Sequence, residues 1–213
     1  MDAYNAIIKR RTIFMSEVNE YTRILRSKFR SIRRFQQKQI PLDNLQKLVN
    51  AGRIAPSVAN LQPLEFLIVY YEKLLPEIFA TLKWAGYIAP KGNPSAGKRP
   101  TAYIVVLVNK KIISLNYERD IGASVENILL TALENGIGTC WVDTVDKKKL
   151  RKILNIPEHI IIDSVIALGY PDESPVMEEI AESVKYWKDK NNVLHVPKRK
   201  LKDIMYINRY GEK

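Results

Sequence analysis

Between residues 118 and 134 the apolar side chains Ile121, Val125, Ile128, Leu129, Ala132 and Leu133 recur at i, i+4, i+7, i+8, i+11 and i+12. That spacing lines them along one face of a helix, and Gly136 stands where such a helix would stop. A stripe of this length has to be buried against another element, so an all-strand fold is excluded. Strands and helices alternate around it. Helices are expected over 17–26, 42–53, 73–84 and 147–155, and strands over 65–71, 102–108, 139–142 and 160–168. In 42–53, Leu45, Leu48 and Val49 share a face and Pro41 stands just outside the start. Prolines at 56 and 63 bracket a structured loop, and residues 85–100 form a long Gly/Pro-containing loop of the kind that is usually functional. This order points to an α/β or α+β sheet domain. Residues 1–14 are set aside as a disordered N-terminal extension or an upstream start, and residues 15–213 read as one domain, without repeats or linkers.

Several function classes fall away at this point. One cysteine, Cys140, and two histidines, His159 and His195, provide neither an internal disulfide nor the usual Cys/His zinc set. The longest apolar run, around residues 103–108, is far shorter than the roughly 20 residues of a membrane span. A cytoplasmic protein with no metal and no membrane partner is the expectation. The net charge of +11 is uneven: residues 1–40 carry 10 basic and 3 acidic groups, residues 185–213 carry 9 and 3, and the middle carries 15 and 17. Either the two ends are solvated basic surfaces, or they converge on one anion.

Familiar motifs fail on their own terms. Gly92-Asn-Pro-Ser-Ala-Gly97-Lys98 approaches a phosphate-binding loop, but Arg99 replaces the required Ser or Thr and a strand follows instead of a helix. Gly136-Ile-Gly138-Thr-Cys-Trp141 begins like a dinucleotide fingerprint, yet it has Trp for the third glycine and runs from helix to strand. There is no Gly-x-Ser-x-Gly elbow, and each histidine reads as structural. Cys140 reads as a small packed hydrophobe.

Three other features occur in a fixed order. They are Arg30-Ser-Ile-Arg33-Arg-Phe35 followed by Ile40-Pro41, then Ala55-Pro-Ser-Val-Ala-Asn60-Leu-Gln62-Pro63, then Arg119-Asp-Ile-Gly-Ala-Ser running through to Glu134-Asn-Gly-Ile-Gly138-Thr-Cys-Trp141-Val. In this order they resemble the FMN-dependent nitroreductase family. The likeness continues in Ile166-Ala-Leu-Gly-Tyr-Pro171, Tyr186-Trp187 and His195-Val-Pro-Lys-Arg199, and covers about residues 17–208.

The resemblance implies an α+β, three-layer α/β/α fold with a mixed, mainly antiparallel central sheet. It also implies a homodimer whose active sites lie at the subunit interface. Arg30, Ser31 and Arg199, with Lys198, are implied near the phosphate or ribityl chain of FMN, and Arg33 near the N1/C2 edge of its ring. The family often has Arg where this chain has Phe29, with Lys28 or Lys198 as substitutes. Pro56, Ser57, Asn60 and Gln62 match the loop that reaches the flavin from the partner subunit. Gly138, Thr139, Cys140 and Trp141 match the turn whose main chain faces N5 and O4, where glycine permits close approach. Trp84 and Tyr87 are assigned to a lid on the acceptor side. No side chain is expected to act as a nucleophile. The implied activity is NADH or NADPH oxidation coupled to reduction of a small-molecule acceptor, a nitroaromatic, quinone or enone. The alternatives are a flavoprotein of the same fold with other chemistry (flavin fragmentation, dehalogenation or oxidase-type dehydrogenation) and a basic nucleic-acid-binding module. The first reading expects no nucleic acid.

Overall fold

The computed structural model describes residues 29–90, 92–112, 116–180 and 182–212. The 1–14 extension, the helix expected over 17–26, and Lys28 lie outside the described residues.

Strand β2 (Ala102–Asn109) is apolar at every position but the last and is buried along its length. A strand with two apolar faces needs cover on both. It pairs antiparallel with β1 (Leu64–Val69) on one side and with β4 (Ile160–Gly169) on the other, and β4 pairs with β3 (Gly138–Val142), giving the order β1-β2-β4-β3. Tyr103, Val105 and Leu107 point to one core, and Ala102, Ile104, Val106 and Val108 to the other. In β4, Ser164 faces Val106 while Ile162 faces Leu107, so Asp163 is the extra residue of a bulge. One extra residue inverts the alternation. Val165 and Ala167 therefore share a core with Ile160 and Ile162.

Helices α1 (Leu42–Arg53) and α3 (Tyr117–Glu134) cover one face through Leu45, Leu48, Ile121, Val125, Ile128 and Ala132. The short helices α2 (Leu75–Phe79) and α4 (Lys147–Ile153) cover the other through Ile78 and Leu150. The three-layer α/β/α arrangement is the expected one, and the central sheet's pairs among the described residues are antiparallel. Among the described residues the one parallel pair, β5 (Val176–Glu179) with β7 (Leu194–Lys198), belongs to a second sheet of order β5-β7-β6, where β6 is Trp187–Lys188.

The 118–134 periodicity predicts α3 within one residue. Its end is a Schellman turn: Gly136 adopts φ +68°, its N–H donates to Leu133 O at 3.0 Å, and Ile137 N–H donates to Ala132 O at 2.8 Å. The turn delivers the chain directly into β3. Helix α1 lies close on α3 at Gly52, where a Cβ would sit 2.9 Å from Ile128 and Ser124 atoms. Ser124 Oγ donates to Gly52 O at 2.8 Å across that contact. The helix expected over 73–84 is much shorter, because Thr81 Oγ1 turns back to Ile78 O at 2.7 Å and Lys83 N–H donates to Thr144 O at 3.0 Å. The chain leaves the helix to pair beside residue 145. No helix among the described residues is long and apolar enough to cross a membrane.

Candidate functional site

Residues 30–36 meet the open edge of β3 at Thr139 and continue past the end of β4. Ile32 N–H donates to Thr139 O at 2.8 Å, Phe35 N–H to Lys98 O at 3.0 Å, and Gln36 N–H to Tyr170 O at 2.9 Å. Phe35 is fully buried, on Gly169, where a Cβ would come within 2.7 Å of its ring. With Ile32 and Phe35 turned inward, Arg30, Ser31 and Arg33 line a cavity of about 520 Å³, a size suited to a cofactor. Thr139 and Trp141 of β3, Leu129 of α3, Tyr186, and Val196 and Lys198 of β7 complete its walls. A second cavity of about 300 Å³ shares Phe29, Arg30, Leu129 and Thr139 with the first and extends to Gly136, Gly138 and Pro171.

Basic groups from both ends of the chain thus meet in one place. Arg30 is partly buried, and burial pulls its guanidinium down from the ordinary arginine value. Arg33 donates its backbone N–H to Glu173 Oε1 and holds its guanidinium 5.2 Å from the centre of the Tyr186 ring. Its Nε is buried and has no hydrogen-bond partner among the described residues. A buried donor of this kind is costly unless a ligand acceptor meets it. Trp141 is held by its Nε1–H, which donates to the buried Ser164 Oγ at 2.7 Å. Cys140 lies behind this wall. Burial pushes its thiol pKa up, opposed by the Arg33 charge and by a hydrogen bond with Ser31.

At Gly138 a Cβ would lie 3.0 Å from both Ile32 and Pro171, so the 30–36 segment is seated tightly on this position. Arg199 follows Lys198 but does not line the cavity; its guanidinium donates to Asp203 O at 2.8 Å. Trp84 corrects the lid expectation. It is 5% exposed and stacks on Phe79 at 5.5 Å in the core. Tyr87 is exposed and packs 5.0 Å from Tyr186, at the rim.

Pro56, Ser57 and Gln62 line a separate cavity of about 230 Å³ with Arg53, Asp120 and Ser124, and the chain does not bring them to the first. Asn60 belongs to the same loop, in which Ala59, Asn60 and Gln62 all have positive φ. Gln62 N–H donates to Ser57 Oγ at 3.1 Å, and Gln62 Nε2 donates to Asn60 Oδ1 at 3.2 Å. Asp120, absent from the sequence-based site, holds the loop from outside: its Oδ1 accepts Val58 N–H at 2.9 Å. The signal for it was a carboxylate next to Ile121, at the head of an apolar stripe, and Asp120 is itself buried. Tyr186 and Val196 were quoted for the resemblance but not assigned to the site, since nothing local marks the long-range pairing of the small sheet that brings them to the cavity. Among the described residues no group of His, Cys, Asp or Glu is arranged to hold a metal ion.

The sequence profile of the nitroreductase family matches residues 28–170. A protein of Archaeoglobus fulgidus described as an NADH dehydrogenase/NAD(P)H nitroreductase is 34% identical over 151 residues, covering 68% of this chain and 82% of the relative. An iodotyrosine deiodinase of Thermotoga neapolitana is 27% identical over 167 residues, covering 70% and 88%. Among solved structures, a nitroreductase of Desulfovibrio desulfuricans in complex with FMN superimposes with a TM-score of 0.61 at 21% identity, covering 76% of this chain and 91% of the other.

Proposed function

Since the chain belongs to the nitroreductase family, we propose that it is an FMN-dependent NAD(P)H oxidoreductase that reduces nitroaromatic, quinone or enone-type acceptors. The observation that carries this is the meeting of Arg30, Arg33 and Lys198 in one cofactor-sized cavity, with the Arg33 Nε buried and awaiting an acceptor. Those donors fit a phosphorylated ring with polar edges. Arg30, Ser31 and Lys198 would hold the phosphate through charge-assisted hydrogen bonds, which contribute roughly 1.5–3 kcal/mol each. The Arg33 guanidinium would supply positive charge beside the pyrimidine edge, a fixed preorganised field and not a proton donor. The peptide groups of Gly138 to Trp141 would border the ring, and the Trp141 indole and Leu129 would exclude water from it. The chemistry FMN supplies when bound is two-electron transfer between a nicotinamide and an acceptor.

The Pro56–Gln62 loop lines a cavity of its own, remote from these groups within one chain. This supports a homodimer in which the loop serves the partner's site. The deiodinase similarity supports a second reading, reductive dehalogenation of an aromatic substrate, on the same cofactor site. Protein reconstituted with FMN, assayed with NADH and NADPH against a nitroaromatic, a quinone, an enone and a halogenated phenol, separates the two. Turnover with any of the first three supports the proposal. Halide release alone supports the second reading, and bound FMN with no turnover of any acceptor contradicts both.

A further inference from the structure

Around Arg33, which the flavin reading already places at the ring edge, lie further cations that this reading does not use. Arg33, Arg34, Lys185 and Lys188 have no carboxylate within ion-pair distance among the described residues. Lys188 ends β6, which packs against residues 86–88, beside Tyr87, and Lys185 lies three positions earlier in the chain. Burial, followed by the charge of Arg34 and, more weakly, of Arg33, pulls the Lys188 ammonium down from its ordinary value, with Glu173 opposing. Glu173 is already engaged by the Arg33 backbone N–H. Two of these cations, Arg33 and Lys185, border an aromatic surface. Arg33 lies over Tyr186, Tyr186 packs on Tyr87 at 5.0 Å, and the Lys185 Nζ stands 5.9 Å from the centre of the Tyr87 ring. Tyr186 itself is part of the cavity wall, so platform and cations form one side of its mouth.

A folded protein gains nothing by collecting like charges at one rim. Their mutual repulsion costs stability, and it is relieved when an anion arrives. Aromatic faces flanked by cations favour a flat ring carrying a carboxylate: the ring packs on the tyrosines and the anion lies among the ammonium and guanidinium groups. We propose that Lys185 and Lys188, with the Tyr87–Tyr186 pair, select planar aromatic anions as the acceptors of this enzyme, in preference to neutral or cationic rings of the same shape. The inference rests on the flavin reading of the adjoining cavity and adds a substrate class to it.

The test uses the FMN-loaded protein and three unreactive ligands of one shape and different charge: benzoate, benzamide and benzylammonium. Binding is read by calorimetry and by the change in flavin absorbance. Benzoate is expected to bind about tenfold more tightly than benzamide, with benzylammonium weakest, as expected when a cationic cleft concentrates anions. The benzoate advantage should shrink between about 0.01 M and about 0.15 M salt, where the screening length falls from about 30 Å to about 8 Å. A Lys185→Gln/Lys188→Gln protein, and the single Lys185→Gln variant at the more exposed position, should lose most of the advantage while keeping bound FMN. Equal binding of benzoate and benzamide at low salt overturns the inference and leaves the flavin reading standing. So does an undiminished preference in the double variant. Failure of the protein to retain FMN at all defeats the flavin reading and this inference together.

Discussion

Cys140 sits between Thr139 and Trp141, two residues that line the cavity, yet its own side chain is buried in the opposite core. Burial raises its thiol pKa, so the folded protein keeps the proton that an unfolded chain begins to release near the ordinary thiol value of about 8.5. The sign follows from linkage: the contribution to stability is complete below that pH and declines as pH rises beyond it. Buried Tyr103, whose hydroxyl is also shifted upward by burial, adds to the same alkaline loss. Native protein at about pH 8 should therefore be nearly inert to a thiol reagent and become labelled on unfolding. The melting temperature should fall as pH rises from about 8.5 to about 10, less so in Cys140→Ala. Fast labelling of the native protein would contradict this placement. Gly169 is the second position where one atom decides the outcome. A Cβ there meets the fully buried Phe35 at 2.7 to 2.9 Å. Gly169→Ala should cost about 1–3 kcal/mol of stability, measured by denaturant unfolding, and should weaken FMN retention as well, because Phe35 anchors the segment that bears Arg30 and Arg33. Unchanged stability would show that the segment accommodates the extra methyl group.

Among the elements, the ones that declare themselves locally were legible in the sequence. The α3 stripe has a period that only a helix fits and ends at a glycine, while β2 is a short, continuously apolar run rich in β-branched residues, as a strand covered on both faces is. The helix expected over 73–84 misled because its composition suits a helix, whereas pairing of Leu82 with Val145 takes the chain elsewhere. The small sheet was illegible for a related reason. β6 has two residues, and its pairing of Trp187 with His195 is a tertiary fact with no local pattern. The Pro56–Gln62 loop was legible as a loop, but its anchor was not, since Asp120 lies 62 positions from Val58. Replacing Asp120 by Ala leaves the Val58 N–H without its acceptor, at a cost of about 1–3 kcal/mol. The expected result is a lower melting temperature and faster limited proteolysis within residues 54–62. Cleavage at an unchanged rate would mean that the loop holds its positive-φ turns through Ser57 and Asn60 alone.

Across the whole molecule, the uneven charge acquires a structural explanation. The segment that meets β3 at Thr139 and the last strand of the small sheet bring the basic ends to one cavity, from positions more than 160 residues apart in the chain. Of the basic residues expected there, Arg30, Arg33 and Lys198 arrive, while Arg199 turns to a neighbouring carbonyl. Composition could suggest this convergence but could not distinguish it from two solvated basic faces, because the choice depends on the course of the chain between them. The glycine-containing turn after α3, singled out in the sequence, places Gly138 against Ile32 and Pro171. The account as a whole depends on one phosphate being held between the two ends. The most direct measurement compares the affinity of apoprotein for FMN with its affinity for riboflavin, which has the same ring and no phosphate, by fluorescence titration. Two charge-assisted contacts of roughly 1.5–3 kcal/mol each predict that FMN binds at least about a hundredfold more tightly, and that Lys198→Ala narrows the ratio. Equal affinity for the two flavins, or a ratio untouched by Lys198→Ala, would contradict it.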